Sequence, residues 1–168
     1  MRNFKMLLVA FFALIFTSHP AFAKNIEVSG DMIWGGFLDP PEITQTHSNL
    51  YLNIHQLWNY QGGIQGAFDE SVMAKINLRS GKGVALPTGP WTGSIDGQSG
   101  TLQFEATVQA ELDFQTNLLT IHYEAVMNHG SDGLEGWSCR IQGDVIADMS
   151  QNVFFDGTYS GSCVIANE

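Results

Sequence analysis

Two short constellations in this chain carry side chains able to move protons or hold ions. Thr120, His122 and Glu124 alternate along one segment, so an extended backbone would put the imidazole and the carboxylate on one face, with Glu111 of the preceding segment beside them. A carboxylate next to an imidazole can serve as general base and acid. The same alternation also describes the solvated face of an ordinary strand. Asp132 and Glu135 flank Gly133 and could hold Ca²⁺ with backbone carbonyls, but they lack the dense acidic spacing of a dedicated calcium loop. His47 and His55 are eight positions apart, a spacing without a metal-ligand signature, and are expected to act independently. No nucleophile elbow is present, and neither a metal site nor a cofactor-binding motif emerges.

Aromatic rings offer a different chemistry. Trp34, Trp58, Trp91 and Trp137, with Tyr60 and nearby carboxylates, could stack on a sugar or grip an apolar ligand at a barrel mouth, with burial in a core as the competing reading. The candidate ligand contacts are therefore Trp58, Tyr60, Trp91, His122 and Glu124.

The elements that must position these residues read as strands. From Leu102 to Phe114, seven apolar residues alternate strictly with Gln103, Glu105, Thr107, Gln109, Glu111 and Asp113. A strand puts all seven on one face, whereas a helix would scatter them around its circumference. Phe104, Val108, Leu112 and Phe114 are expected inside, and Glu105, Glu111 and Asp113 outside or at a wet lumen. Leu119, Ile121, Tyr123 and Ala125 continue the alternation, and a two-residue loop at Thr116-Asn117 would pair Phe114 with Leu119 and Leu112 with Ile121. Leu50 to His55 and Val72 to Arg79 read as half-buried strands, with a Gly-rich hairpin or bulged strand over Trp58 to Gly66. Asp39-Pro40-Pro41 and the stretch Ser80 to Gly100, with Pro87, Pro90 and six glycines, read as turns and loops. Glu42 to His47 admits a short helix. The expectation is an all-β fold of a single domain, a small antiparallel barrel of about eight strands, with no repeat at solenoid spacing.

The two cysteines support the same architecture. A turn centred on Gln151 makes residues whose numbers sum to 302 face each other, which pairs Cys139 with Cys163, Ile141 with Gly161, Gly143 with Tyr159, Val145 with Gly157 and Ala147 with Phe155. One register thus aligns the thiols and the apolar face. In an exported chain such a pair is expected to be oxidised, closing a loop of about 25 residues worth roughly 3 kcal/mol in the chain-entropy model. Two buried free thiols and a metal site are the rival readings.

Export itself is read from the first 23 residues. Arg2 and Lys5 precede an unbroken apolar run from Met6 to Phe16, and Ala21-Phe22-Ala23 closes it, the three-part pattern of a signal peptide. The run of about eleven residues is too short to span a bilayer, and no Cys follows the expected cut, so neither an anchor nor lipidation is indicated. The expected mature domain is 24-168, periplasmic or secreted. It has five basic residues against all 17 acidic ones, a formal charge of −12, which repels nucleic acid and anionic membrane surfaces. Eight membrane-spanning strands would fit this length, but the Gly and Pro breaks, the disulfide inside one hairpin and the terminal Asn167-Glu168 argue against an outer-membrane barrel.

Three glycine clusters add a resemblance: Gly62-Gly63-Ile64-Gln65-Gly66, then Gly93-Ser94-Ile95-Asp96-Gly97-Gln98-Ser99-Gly100, then Gly130-Ser131-Asp132-Gly133-Leu134-Glu135-Gly136. Over about residues 60–145 the chain resembles a bacterial family of unknown function built on the allene oxide cyclase-like barrel. It departs from that pattern at Cys139, where relatives tend to carry Gly. The resemblance implies an eight-stranded antiparallel barrel whose plant relatives cyclise or orient hydrophobic small molecules, and it carries over no active-site residue. The leading expectation is an exported barrel, without a cofactor, that binds a small apolar ligand or acts as an interaction module. A cyclase- or isomerase-like enzyme using the cavity is the alternative, and a structural secreted protein with a filled core is a third.

Overall fold

The computed structural model describes residues 24–166, so the expected leader over residues 1–23 lies outside the described part. Ten strands and no helix form there: β1 (Lys24–Phe37), β2 (Glu42–Gln45), β3 (Asn49–Gly62), β4 (Ile64–Asn77), β5 (Lys82–Ile95), β6 (Gln98–Asp113), β7 (Leu118–Asp132), β8 (Trp137–Asp148), β9 (Val153–Phe154) and β10 (Gly157–Ile165). Strands β3 to β8 run as an antiparallel meander, β10 pairs with β8, and β1 pairs with both β10 and β3. Eight strands thereby close into a ring, which leaves no free sheet edge over most of its height. Short β2 continues along β3 beyond the end of β1, and β9 lies against β8. No helix of the described residues is long and apolar enough to cross a membrane.

Alternation places the two faces. Even-numbered β4 residues from Ile64 to Ile76 point into the ring while Gln65, Asp69, Ser71, Met73 and Lys75 point out, and β6 does the same with Leu102, Phe104, Ala106 and Val108 inside and Glu105, Thr107, Gln109 and Glu111 outside. The closed interior holds a large apolar core that draws on all eight ring strands and a second, smaller cluster of Leu52, Ile76, Leu119 and Ala147. The ring is sealed where backbones approach closely: at the β3–β4 turn Gly62 has φ of +112°, and a Cβ there would sit 2.4 Å from the Ser29 carbonyl oxygen. Tyr159 staples the same turn, its hydroxyl accepting from the Ile64 amide at 2.8 Å.

Several expectations are corrected. Ser80 to Gly100 is not a loop: most of it is β5, in the middle of the sheet between β4 and β6. Its prolines are tolerated because the ladders break beside them. The β5–β6 register omits Leu86 and Pro87, and the β4–β5 register omits Gly89 and Pro90. A missing N–H then costs no ladder bond. Glu42 to His47 contains strand β2 rather than a helix, because Glu42 through Gln45 take the free edge of β3 opposite Asn53 through Leu50.

The β6–β7 turn is also longer than expected. Asp113 opposes Leu118 and Leu112 opposes Leu119, two residues off the expected register, so the inward parity survives but Phe114 lies in the turn, half exposed. Asp113 fixes this geometry, its carboxylate accepting from the Gln115 amide at 2.8 Å and the Thr116 hydroxyl at 2.9 Å. Those bonds hold its carboxyl below the usual range.

The β8–β10 register follows the 302 sum from Cys139 opposite Cys163 to Asp144 opposite Thr158. The Sγ atoms are at bonding distance, 2.08 Å, and the Cα atoms are 4.0 Å apart, below the ~4.4 to 6.8 Å usual for a disulfide. Beyond Gly157 the register slips by one, so that Ala147 faces Phe154 rather than Phe155. Phe155 consequently turns outward, and the Phe154 ring lies across the mouth of the barrel.

Candidate functional site

Side-chain size divides the barrel interior into two halves. Toward the β3–β4, β5–β6 and β7–β8 turns, Ile64, Trp91, Ile95, Leu102, Met127 and Leu134 are wholly buried and fill the ring, with Trp137 and the Cys139–Cys163 pair among them. At the opposite end the inward positions carry Ala74, Ala85, Ala106, Ala110 and Ala147, whose methyl groups cannot reach the barrel axis. A cavity of about 110 Å³ remains there, walled by these alanines with Leu52, Ile54, Val72, Ile76, Val108, Leu119 and Ile121. Met32, Trp58, Phe104 and Tyr123 form its floor. Over the mouth lie Phe154 and Met149 from the β8–β10 connection and Pro41 and Ile43 from the β1–β2 segment. Phe154 packs at ring-centroid distances of 5.6 Å from Trp34, 6.2 Å from Phe37 and 5.7 Å from Trp58.

One polar cluster interrupts this apolar wall. Gln56 and Glu70 are directly opposed on β3 and β4 and both point inward, 3% and 7% exposed. The Trp34 indole donates to Gln56 Oε1 at 3.1 Å, the Gln56 amide donates to Glu70 Oε2, and the Trp58 indole donates to the same Oε2 at 2.9 Å. Burial lifts the Glu70 carboxyl to about 7, against the downward pull of the two donors, so the acid is roughly half protonated at neutral pH. Oε1 has no protein partner among the described residues and belongs to a side chain that lines the cavity. Asp148, the other carboxylate at the cavity, is engaged by its own turn: it accepts from the Ser150 hydroxyl at 2.6 Å and the Gln151 amide at 2.8 Å, which lowers its pKa.

The five residues singled out from the sequence do not come together. Trp58 lies on the cavity floor. Tyr60 is buried in the filled half, its ring 5.2 Å from that of Tyr159, and Trp91 is fully buried there; the Tyr60 hydroxyl and the Trp91 indole N–H have no partner among the described residues. His122 and Glu124 lie on the outer surface, separated from the lumen by the thickness of the sheet. His122 Nδ1 is 2.9 Å from Asp144 of β8, and Glu111 of β6 opposes Thr120 at the edge of the same outer face, as expected. Glu124 borders a shallow outer groove with Glu105 and Arg140.

The other histidine and acidic pairs considered from the sequence are placed as follows. His55, on the outside of β3, is held between Asp39 at 2.6 Å and Asp69 at 2.7 Å. Its pKa is raised, first by the bond to Asp39 and then by that to Asp69. His47 is exposed in the β2–β3 connection, and Asp132 and Glu135 are exposed at the β7–β8 turn. No group of three His, Cys, Asp or Glu side chains arranged to hold a metal occurs among the described residues.

Gln56 and Glu70 were not among the sequence candidates, yet a signal for both exists. The inward row Leu50, Leu52, Ile54 runs on through Gln56 to Trp58 and Tyr60, and the row Val72, Ala74, Ile76 runs back through Glu70 to Phe68. A polar residue in phase with an apolar row, on each of two paired strands, marks an internal polar pair. Neither a protein-family model nor a curated protein matches the sequence.

Proposed function

We propose that this protein is an exported barrel that holds one small, largely apolar molecule in the lumen between the Trp58–Glu70 floor and the Phe154 cap. The observation that carries this reading is an apolar cavity of about 110 Å³ with a single convergent polar cluster at its base, smaller than most ligand pockets but built of the same parts. The inward alanines leave space that larger side chains would fill with better packing, which supports a lumen kept open for a guest. The polar outer faces of β4 and β6, the reverse of a membrane-spanning barrel, and the Cys139–Cys163 pair support a protein surrounded by water outside the cytoplasm. The resemblance to the allene oxide cyclase-like barrels points to the same kind of ligand.

The enzyme alternative draws on Glu70 alone. A buried carboxyl poised near neutral pH inside a water-poor pocket is a suitable general acid for a cyclisation or isomerisation. Binding is tested first, with the purified mature protein and the apolar dye N-phenyl-1-naphthylamine. Saturable enhancement of its fluorescence, lost at least about tenfold in affinity when Ala74→Leu fills the lumen, is expected. Dye binding unaffected by Ala74→Leu in a folded variant would place the site elsewhere and refute the lumen reading.

A further inference from the structure

We infer that the ligand carries one uncharged oxygen function, a hydroxyl or a carbonyl, which hydrogen-bonds to Glu70 at the lumen floor while the hydrocarbon part lies against the alanine-lined wall. This rests on the lumen reading above and narrows it to a chemical class.

The geometry concentrates polar recognition on one atom. Gln56 and Trp58 both donate to Glu70 Oε2, which fixes the carboxyl plane and leaves Oε1 as the polar atom available to a guest. At the floor the other polar groups are engaged: the Gln56 carbonyl accepts from Trp34 and the Tyr123 hydroxyl donates to Met32 Sδ, while Asp148, held by Ser150 and Gln151, and Asn152 belong to the β8–β10 side of the cavity. An oxygen-bearing guest gives Oε1 the partner that the protein does not. A pure hydrocarbon would leave it dry and unpaired, which costs far more than a hydrogen bond gains.

Charge decides which oxygen. No Lys, Arg or His among the described residues lines the cavity, so a carboxylate or phosphate head would enter an apolar space beside an acidic side chain without a counter-ion. The mature chain also carries a large negative charge, which works against anion capture from solution. A neutral hydroxyl or carbonyl avoids both penalties. Burial of Glu70 fits this, because it keeps a population of the acid protonated and able to donate to such an oxygen.

The test is competition against bound N-phenyl-1-naphthylamine by an eight-carbon series: octane, 1-octanol, 2-octanone, octanoate and octylamine, at pH 6. Octanol and octanone are expected to compete about tenfold better than octane and octanoate, the effect of one additional hydrogen bond in a dry site. Glu70→Leu is expected to erase the difference between octanol and octane. Glu70→Gln, which presents an amide N–H to the lumen and keeps an oxygen for Gln56 and Trp58, is expected to preserve the preference for octanone, and it decides the matter if the leucine variant fails to fold. Equal competition by octane and octanol, or tighter binding of octanoate or octylamine, overturns the inference while leaving the lumen site standing. Failure of the dye and of every probe to bind overturns the lumen site and the inference with it.

Discussion

Replacing Glu70 by Gln isolates the energetic cost of an acid inside an apolar barrel. The folded protein holds the Glu70 proton with a pKa of about 7, against 4.5 for the unperturbed side chain, because burial penalises the charged form. As pH rises from 4.5 the unfolded chain releases this proton first, so the stabilisation, complete at low pH, is lost progressively and is gone above pH 7. The gap between 4.5 and about 7, at ~1.4 kcal/mol per pH unit, amounts to roughly 3 to 4 kcal/mol, a large share of the total stability of a domain this size. Gln fills the same volume and retains an oxygen for the Gln56 amide and the Trp58 indole, but it does not titrate. Urea unfolding of both proteins at half-unit steps from pH 4.5 to 8.5 is the assay. The stability difference between them should move by about 2 to 3 kcal/mol in favour of the Gln variant as pH rises. Taking the difference removes other groups that titrate in this range, His55 among them. A gap that stays constant within about 0.5 kcal/mol would mean that the carboxyl is well solvated, and the dry-floor description would be wrong.

Three further outcomes are expected. Reduction of Cys139–Cys163, 24 positions apart, should lower stability by about 3 kcal/mol in the chain-entropy model; an unchanged melting temperature would contradict it. Phe104→Ala, which empties part of the cavity floor, should cost about 3 to 5 kcal/mol, while Glu105→Ala on the outer face should shift stability by less than about 0.5 kcal/mol, and equal effects would reverse the assigned faces. His55 should titrate above its ordinary value of 6.5 by imidazole NMR, and Asp39→Asn should bring it down. Because its folded pKa is raised, the stabilisation it contributes is full below 6.5 and is lost as pH rises through the folded value.

Parity made the strands legible and failed only where something other than burial set the outcome. Leu102 to Val108 and Leu119 to Ala125 point as their alternation requires, because one misplaced residue would expose the whole row to water. The Cys139–Cys163 register was legible for the same reason. Turn length was not: the carboxylate bonds of Asp113 select four residues where the hydrophobic pattern is equally content with two. Nor was β5, whose prolines read as breakers until the neighbouring ladders show gaps at those positions. Trp58, Tyr60 and Trp91 share one signal, an aromatic ring, and His122 and Glu124 another, an imidazole and a carboxylate on one strand face; residue type does not fix the side of the wall, and of the five Trp58 alone lines the cavity. Glu70 stands in phase with Phe68 and Val72, but a row begun at Val72 stops one inward position short of it.

The double role of β1 sets a kinetic limit on closure. Each meander hairpin joins neighbours in sequence, but β1 reaches Tyr60 from Met32 and, through the same residue, Gly157 at the far end of the chain. Until β10 exists, one edge of β1 has no partner, and the ring cannot shut around its lumen. Loop-closure entropy makes this final docking slower than any hairpin step. Pulse-labelled amide exchange should therefore find β4 to β7 protected before the β1–β10 ladder. Under the export proposed above, with the chain threaded N-terminus first through a membrane, the unpaired β1 edge would wait outside for the last nine-residue strand, exposed to pairing with another copy until that strand arrives.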